Sequence, residues 1–233
     1  MTVTITVGVL ALQGGFHEHL TLLRRAVSQL ATTKFELVEV RTSQQLAQCD
    51  ALIIPGGEST TMSLVAGQTD LLEKLRDFVK VQKKPTWGTC AGLIMLSNAA
   101  NSTKVGGQEL IGGLSVRVHR NHFGRQIESF EANLDLPFLS ETTDRSPFHA
   151  VFIRAPVVEE VLAPQAVQVL AKLPGRVDRM KTGVSQATTK GDSGDIVAVR
   201  EGNVLGMSFH PELTADARIH VWWLSELLKG GAS

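Results

Sequence analysis

The N-terminal half of this chain alternates short apolar runs with segments of helical periodicity. The run from Thr4 to Leu12 is rich in β-branched residues, and the run from Ala51 to Ile54 is short and apolar throughout. Between them, the segment 16–30 carries apolar residues at helical spacing. Short apolar runs of this kind predict buried strands. Strands that alternate with helices predict a parallel sheet with helices on both faces.

The C-terminal half has a different pattern, in which short strands follow one another closely. Such spacing predicts antiparallel additions to the sheet. The strands predicted from apolar content span 114–119, 129–134, 151–153, 167–173, 196–200 and 204–209, and a final amphipathic helix spans 216–229. We therefore predict an α/β fold over residues 1–233. It is a single-domain, three-layer sandwich whose mostly parallel central sheet gains antiparallel strands in the C-terminal half.

The amino-acid composition argues against some classes of binding partner. The chain has 233 residues, 43% of them hydrophobic, and its 23 basic and 23 acidic residues balance. Without a basic excess, neither nucleic acid nor an anionic membrane surface is predicted as a partner. No apolar run reaches the length of about 18 residues that a membrane span needs. The N-terminus does not have the pattern of a signal peptide, and two cysteines are too few for a disulfide framework, so we expect a cytoplasmic protein.

The segment Gly88-Thr-Cys90-Ala-Gly92 places a cysteine between two glycines, just after a predicted strand and before a predicted helix. An abrupt strand-to-helix turn needs small residues because the two segments pack closely. The residue at its tip has a strained backbone and an exposed side chain. Cys90 is therefore a candidate nucleophile. The pentapeptide alone fits equally well a small buried hydrophobic residue in a tight junction.

A second segment, Phe209-His210-Pro-Glu212, supplies the groups that a thiol nucleophile requires. Residues two apart in an extended chain project to the same side, so Glu212 can orient the imidazole of His210. Cys90, His210 and Glu212 would then be attacker, proton shuttle and orienting carboxylate. Taken alone, the tripeptide also fits an ordinary capped strand end.

The third segment, Pro55-Gly-Gly-Glu-Ser-Thr-Thr61, follows a predicted strand with two glycines. Glycines let the backbone approach a ligand closely, and acyl transfer needs donors aimed at the developing oxyanion. The N–H groups of Gly57 and Ala91 are the candidate donors. The alternative is an ordinary strand–helix connection in which Ser59 or Thr60 is the N-cap.

Gln13, Gly56-Gly57 and Cys90 each follow the carboxyl end of a predicted parallel strand, and ligands gather at that edge in open α/β sheets. Together the motifs resemble the class I, triad-type glutamine amidotransferases, which have a flavodoxin-like fold. More narrowly, five segments in the same order resemble the glutaminase subunits of pyridoxal 5′-phosphate synthase. These segments are Gly8–Gly14, Pro55–Thr61, Arg120–Gln126, Phe152–Pro156 and Ser208–Leu213.

The resemblance implies a reaction and a partner. Cys90 would attack the side-chain amide of L-glutamine to give a thioester and ammonia, His210 would relay protons, and water would release glutamate. Ammonia would pass to the synthase subunit in a hetero-oligomer. Because that subunit makes pyridoxal phosphate, this chain itself is expected to need no cofactor and no metal.

The resemblance also assigns residues to glutamine binding, which are Gly57, Glu58, Ser59, Arg120, Ile153 and Arg154. The charges agree with that assignment, since Glu58 suits the α-ammonium and either arginine suits the α-carboxylate. Gln13 is hypothesised to support the oxyanion loop or to contact the partner. Two segments, 100–108 and 174–195, are longer than the family pattern requires, and we expect neither to touch the motif residues.

The sequence is also compatible with other functions. One is a glutaminase subunit of another pathway, such as histidine biosynthesis. Another, from a different class, is a binding or redox-sensing module on the same fold, with Cys90 as an oxidisable thiol. A zinc site has weaker support, because His17 and His19 would face different ways on a helix and lack suitably spaced cysteines.

Overall fold

A large central sheet organises the chain. The computed structural model describes residues 4–30, 35–101, 108–120, 129–140, 144–173 and 194–230. The strands of the central sheet are β1 (Ile5–Leu10), β2 (Phe35–Val40), β3 (Ala51–Ile54), β4 (Thr86–Thr89), β5 (Ser97–Ala100), β6 (Leu114–His119), β9 (Val157–Val161), β10 (Gln168–Leu173), β11 (Asp195–Glu201) and β12 (Val204–Met207). A separate antiparallel pair consists of β7 (Ser129–Leu134) and β8 (Phe148–Ile153).

Helices connect these strands. They are α1 (Phe16–Leu30), α2 (Ser43–Ala47), α3 (Ser59–Gly67), α4 (Leu71–Arg76), α5 (Ala91–Leu96) and α6 (Arg218–Gly230). One π-helical turn, Asp77–Val81, continues α4, and short 3-10 turns span Pro137–Leu139 and Pro211–Leu213. Within the described ranges, none of the helices is long and apolar enough to cross a membrane.

The strand order confirms the predicted sheet. Neighbouring strands follow the order β2-β1-β3-β4-β12-β11-β9-β6-β5, and β10 pairs with β11. Strands β2, β1, β3, β4 and β12 are mutually parallel. Antiparallel pairing begins where β11 joins β12 and continues through β9 and β6. The predicted change from parallel to antiparallel pairing is therefore present.

Some details of the sheet differ from the sequence prediction. Strands β5 and β9 were not predicted: β5 follows α5 without a turn residue, and β9 contains Glu159 and Glu160, which interrupt its apolar pattern. Strands β7 and β8 were predicted, but among the described strands each pairs only with the other instead of extending the main sheet. The apolar side chains of this ribbon pack into the core on one face of the main sheet.

The two faces of the sheet bury separate clusters. In β3, Ala51 and Ile53 join the cluster covered by α1 and α6, whereas Leu52 and Ile54 join the opposite cluster. This alternation is what a strand buried on both faces requires. The opposite cluster is covered by α2 to α5. Helices on both sides leave the carboxyl ends of the parallel strands as the accessible edge.

Candidate active site

Cys90 lies at the turn between β4 and α5, with backbone angles φ 49° and ψ −104°. A non-glycine residue in this region of conformational space stores strain of about 1–3 kcal/mol. A Cβ on Gly92 would overlap the carbonyl oxygen of Ile54, and one on Gly88 would lie 2.5 Å from the Gly92 carbonyl carbon. The prediction that a sharp strand-to-helix turn requires small residues here is confirmed.

The thiol is less accessible than predicted. Cys90 is 6% exposed because the end of β8 covers it, with Sγ 3.8 Å from the carbonyl oxygen of Ile153. The expectation of an exposed side chain at the turn is therefore wrong. The strain and the burial together hold the sulfur in a fixed position at the edge of the sheet.

His210 and Glu212 lie next to this turn. His210 Nδ1 is 2.7 Å from Glu212 Oε1, and both residues are buried. The backbone N–H of His210 also donates to the carbonyl oxygen of Val151 in β8 at 2.8 Å. Strand β12 ends at Met207, and the 3-10 turn at Pro211 brings the two side chains together. The contact agrees with the prediction, although a turn produces it rather than an extended strand.

Because Gly56 has no side chain, the imidazole of His210 and the thiol of Cys90 can lie close together. A Cβ at Gly56 would overlap Cε1 of His210 and lie 3.4 Å from Cβ of Cys90. The absent side chain therefore leaves the space in which the two groups meet. Four segments converge on this point, which are the ends of β3, β4, β8 and β12 with the loops that follow them.

The charged groups in this cluster shift one another's pKa values. Burial lowers the pKa of His210, but the hydrogen bonds and negative charges of Cys90 and Glu212 outweigh burial and raise it to about 10. Burial likewise raises the pKa of Glu212, while the histidine neighbours His19 and His210 outweigh burial and lower it. The arrangement favours an imidazolium next to a carboxylate at neutral pH, as in an activated thiol site.

This raised pKa predicts a pH-dependent stability. The His210 pKa rises from 6.5 to about 10 on folding, so its contribution is fully present below pH 6.5 and is lost as the pH rises through about 10. The free energy of unfolding of the wild type should therefore exceed that of His210→Asn by the largest amount near pH 6.5. This difference should become smaller as the pH rises toward about 10. Urea unfolding at several pH values measures the difference. For the control Gln44→Ala, which replaces an exposed side chain that does not titrate, the difference should stay constant with pH.

The loop that follows β3 is held by Glu58 and Gln13. The Glu58 carboxylate accepts from the N–H groups of Thr60 (3.1 Å) and Thr61 (2.7 Å), so Glu58 is the N-cap of α3. The alternative of Ser59 or Thr60 as the N-cap is wrong. Gln13 Oε1 accepts from the Glu58 N–H at 2.7 Å and lies beside Gly57. At φ 147°, Gly57 has a backbone conformation that favours glycine.

Two of the proposed glutamine-binding residues pair with each other. Arg120 Nη2 donates to Thr60 Oγ1 at 2.9 Å and lies 3.3 Å from Glu58 Oε1. Hydrogen bonds from Thr61 and Thr60 lower the pKa of Glu58, although burial opposes them. The two opposite charges predicted for the ends of a zwitterionic ligand are thus adjacent at the start of α3.

The segment 100–108 does touch the motif residues, contrary to expectation. Ser59 is buried, and its hydroxyl donates to Gln108 Oε1 at 2.9 Å. Thr60 Oγ1 lies 3.4 Å from the same oxygen. Sequence reasoning missed Gln108 because it lies in a polar segment 49 residues from its partner, without local periodicity. Residues 102–107 and 174–193, and Asn121 to Gln126 of the arginine motif, lie outside the described residues.

The remaining predicted residues lie at the end of β8. Ile153 is 39% exposed, and its backbone oxygen lies 3.8 Å from the sulfur of Cys90. Arg154 is also exposed and has φ 45°. As for metals, no group of three or more His, Cys, Asp or Glu side chains in the described part of the chain is arranged to hold one.

This fold is that of a glutamine amidotransferase. A structure titled "Crystal structure of glutamine amidotransferase" superposes with a TM-score of 0.72 at 40% identity, covering 94% of this chain and 97% of that one. A family profile described as "SNO glutamine amidotransferase family" matches residues 9–229. The chain belongs to this family.

Relatives with curated names extend over nearly the whole chain. One is the "Probable pyridoxal 5′-phosphate synthase subunit PDX2" of Arabidopsis thaliana, 48% identical, with 98% of this chain and 89% of the relative covered. Another is the "Pyridoxal 5′-phosphate synthase subunit PdxT" of Herpetosiphon aurantiacus, 44% identical, with 94% of this chain and 99% of the relative covered. Both span the elements that carry Cys90, His210 and Glu212.

Proposed function

We propose that this chain is the glutaminase subunit of a pyridoxal 5′-phosphate synthase and hydrolyses L-glutamine to glutamate and ammonia. The observation that carries the proposal is the buried cluster in which Cys90 lies on a strained turn and His210 contacts Glu212 at 2.7 Å. The names of the curated relatives supply the pathway. The catalytic domain spans residues 1–233 in this proposal.

The mechanism begins with the thiolate of Cys90, which attacks the side-chain amide carbon of glutamine. The N–H of Ala91, at the first position of α5, has no acceptor within the helix, so Ala91 and Gly57 donate to the oxyanion. His210 transfers a proton to the departing ammonia. It then takes a proton from the water that attacks the thioester, and glutamate leaves. Glu212 keeps the imidazole oriented through both steps.

The α-ammonium and the α-carboxylate of glutamine each require a group of opposite charge. The loop after β3 supplies a carboxylate, and the residues that follow β6 and β8 supply arginines. Glu58 binds the α-ammonium, and Arg120 or Arg154 binds the α-carboxylate. Ser59 and Ile153 complete the pocket by their positions next to Glu58 and Cys90. Arg154 follows the carbonyl group that lies 3.8 Å from the Cys90 sulfur, whereas Arg120 is paired with Glu58. Binding of the zwitterionic glutamine would then break the ion pair between Arg120 and Glu58 and form one new ion pair at each of its α-groups.

The partner in this proposal is the synthase subunit, which receives the ammonia within a hetero-oligomer. That subunit forms pyridoxal phosphate, so the glutaminase reaction itself uses only side chains and water. The compartment proposed is the cytoplasm, where reducing conditions keep a catalytic thiol free. The curated relatives named as subunits of this synthase do not favour the alternatives of another pathway or a non-enzymatic thiol module.

Glutamate release from L-glutamine, measured with and without a pyridoxal 5′-phosphate synthase partner, tests this assignment. We expect the partner to stimulate release, because a two-glycine loop can adopt a peptide orientation that does not aim the Gly57 N–H at the oxyanion. Equal rates for the free and the complexed subunit would contradict the stimulation. If the partner neither binds nor stimulates, while hydrolysis still depends on Cys90, the pathway assignment is wrong and the reaction stands.

Gln13 gives a further prediction. Replacing it with alanine removes the acceptor of the Glu58 N–H, which is 2.7 Å away, and frees the loop next to Gly57. Loss of one such hydrogen bond should lower partner-stimulated kcat by about tenfold. Gln44→Ala, at an exposed position on α2, is the matched control and should leave kcat unchanged. An unaffected rate in a folded Gln13→Ala protein would reject the supporting role.

A further inference from the structure

A buried histidine on α1 lies behind the proposed catalytic carboxylate. His19 is 0% exposed, and its Nε2 is 3.3 Å from Glu212 Oε2. The same nitrogen is 3.2 Å from Oγ1 of Thr89 at the end of β4. The other ring nitrogen, Nδ1, is 3.0 Å from Nε2 of His220 on α6, which is also 0% exposed. The proposed mechanism uses neither histidine.

The two oxygens of Glu212 have different surroundings. Oε1 contacts His210 at 2.7 Å, while Oε2 is buried and accepts no well-aligned hydrogen bond from any described residue. A buried carboxylate oxygen without a donor is costly. The His19 ring lies within 3.3 Å of this oxygen and is oriented by Thr89 and His220. A hydrogen on Nε2 is therefore close enough to serve this oxygen.

Counting the protons selects one tautomer for both histidines. If His19 carries its proton on Nδ1, it donates to Nε2 of His220. The proton of His220 must then be on Nδ1, which is buried and has no partner among the described residues. In addition, a lone pair of His19 would face the carboxylate. With protons on both Nε2 atoms, His220 donates to His19, His19 faces Glu212 with an N–H, and neither histidine is left with an unpaired N–H.

Electrostatics keep both rings neutral in this arrangement. Burial lowers the pKa of His19, and the positive charge of His210 acts in the same direction, whereas Glu212 and Glu18 raise it without reversing the shift. Burial lowers the pKa of His220 well below its ordinary value. Neutral rings have one proton each, so the tautomer decides which nitrogen faces the carboxylate.

We propose that His19 is a positioning residue for the glutaminase reaction, holding Glu212 through an Nε2–H directed at Oε2, while His220 fixes the tautomer of His19. The inference rests on the proposed function, because it acts through the carboxylate that orients His210. The hydrogen-bonded series then runs from His220 through His19 and Glu212 to His210. The rotation of the carboxylate is thereby restricted at both oxygens.

Two substitutions of His19 separate positioning from packing. The amide nitrogen of glutamine reaches the place of Nε2, whereas that of asparagine reaches only the place of Nδ1. In the complex with the synthase partner, we expect His19→Asn to lower kcat about tenfold with little change in KM. His19→Gln should stay within about threefold of the wild type. Equal losses in both variants, or a loss confined to KM, would overturn the proposal.

A measurement on the wild-type protein does not depend on the folding of a variant. Two-bond ¹H–¹⁵N correlation spectra of the imidazole groups distinguish the two neutral tautomers. At neutral pH, we expect His19 and His220 to be protonated at Nε2 and not at Nδ1. A proton on His19 Nδ1 would overturn the proposal. If the wild type hydrolyses no glutamine in the complex, the proposed function fails, and the spectra still decide the tautomer.

Discussion

Cys90→Ala is expected to abolish partner-stimulated glutamate release, with a loss of roughly 10⁴-fold or more in kcat. The substitution removes the nucleophile, and the hydrogen-bond donors that remain cannot form a covalent intermediate. Because alanine is smaller and apolar, it fits the turn between β4 and α5 without new contacts. Folding and binding of the synthase partner should therefore persist. Steady-state glutamate release, measured with the partner in excess, gives the comparison.

The second cysteine is the matched control for this experiment. Cys49 is buried in the apolar cluster under α2 to α5, and burial raises its pKa to about 11. Cys49→Ala should therefore lower the stability slightly and leave the rate per folded molecule unchanged. If Cys90→Ala retains a substantial fraction of the wild-type rate, or Cys49→Ala loses the rate, the assignment of the nucleophile is wrong.

Gly56→Ala is expected to reduce kcat by about 100-fold or more, because it displaces the imidazole from the thiol. The added Cβ would overlap Cε1 of His210 and lie 2.9 Å from Nδ1, which contacts Glu212. The ring must move, and a displacement of about 1 Å is enough for a loss of this size. Glutamate release and the thermal midpoint are measured on the same preparation.

A glycine in an open position is the control. A Cβ on Gly14 would meet no atom within 4 Å, so Gly14→Ala should have close to the wild-type rate. We expect Gly56→Ala to remain folded, since its close neighbour is a side chain at the edge of the sheet rather than backbone. A folded Gly56→Ala protein with the wild-type rate would contradict the proposed contact between His210 and Cys90.

The sequence predicts the parts of the site that depend on local structure. The glycines around Cys90 indicate a sharp turn because no larger residue fits against Ile54, and the structure contains that turn. Convergence of the loops after β1, β3 and β4 was predictable because parallel strands end at the same edge. The pairing of His210 with Glu212 was also predictable, although from the wrong geometry.

Contacts between distant residues could not be predicted in this way. His19 and His220 are separated by 201 positions, and their contact depends on how α1 packs beside α6. The position of β9 between β11 and β6 likewise depends on pairing that no local pattern encodes. Glu58 was predicted to bind the ligand, and its role as the N-cap of α3 was not predicted. Both roles require an acidic side chain just before a helix, so the sequence alone does not distinguish them.

Trapping of the acyl intermediate tests the central claim most directly. The complex with the synthase partner is supplied with L-glutamine and increasing hydroxylamine, and the products are separated. A thioester on Cys90 would partition between water and hydroxylamine, so γ-glutamyl hydroxamate should replace glutamate and should be absent with Cys90→Ala. Glutamate as the sole product at every hydroxylamine concentration would indicate direct attack by water and would contradict the covalent mechanism.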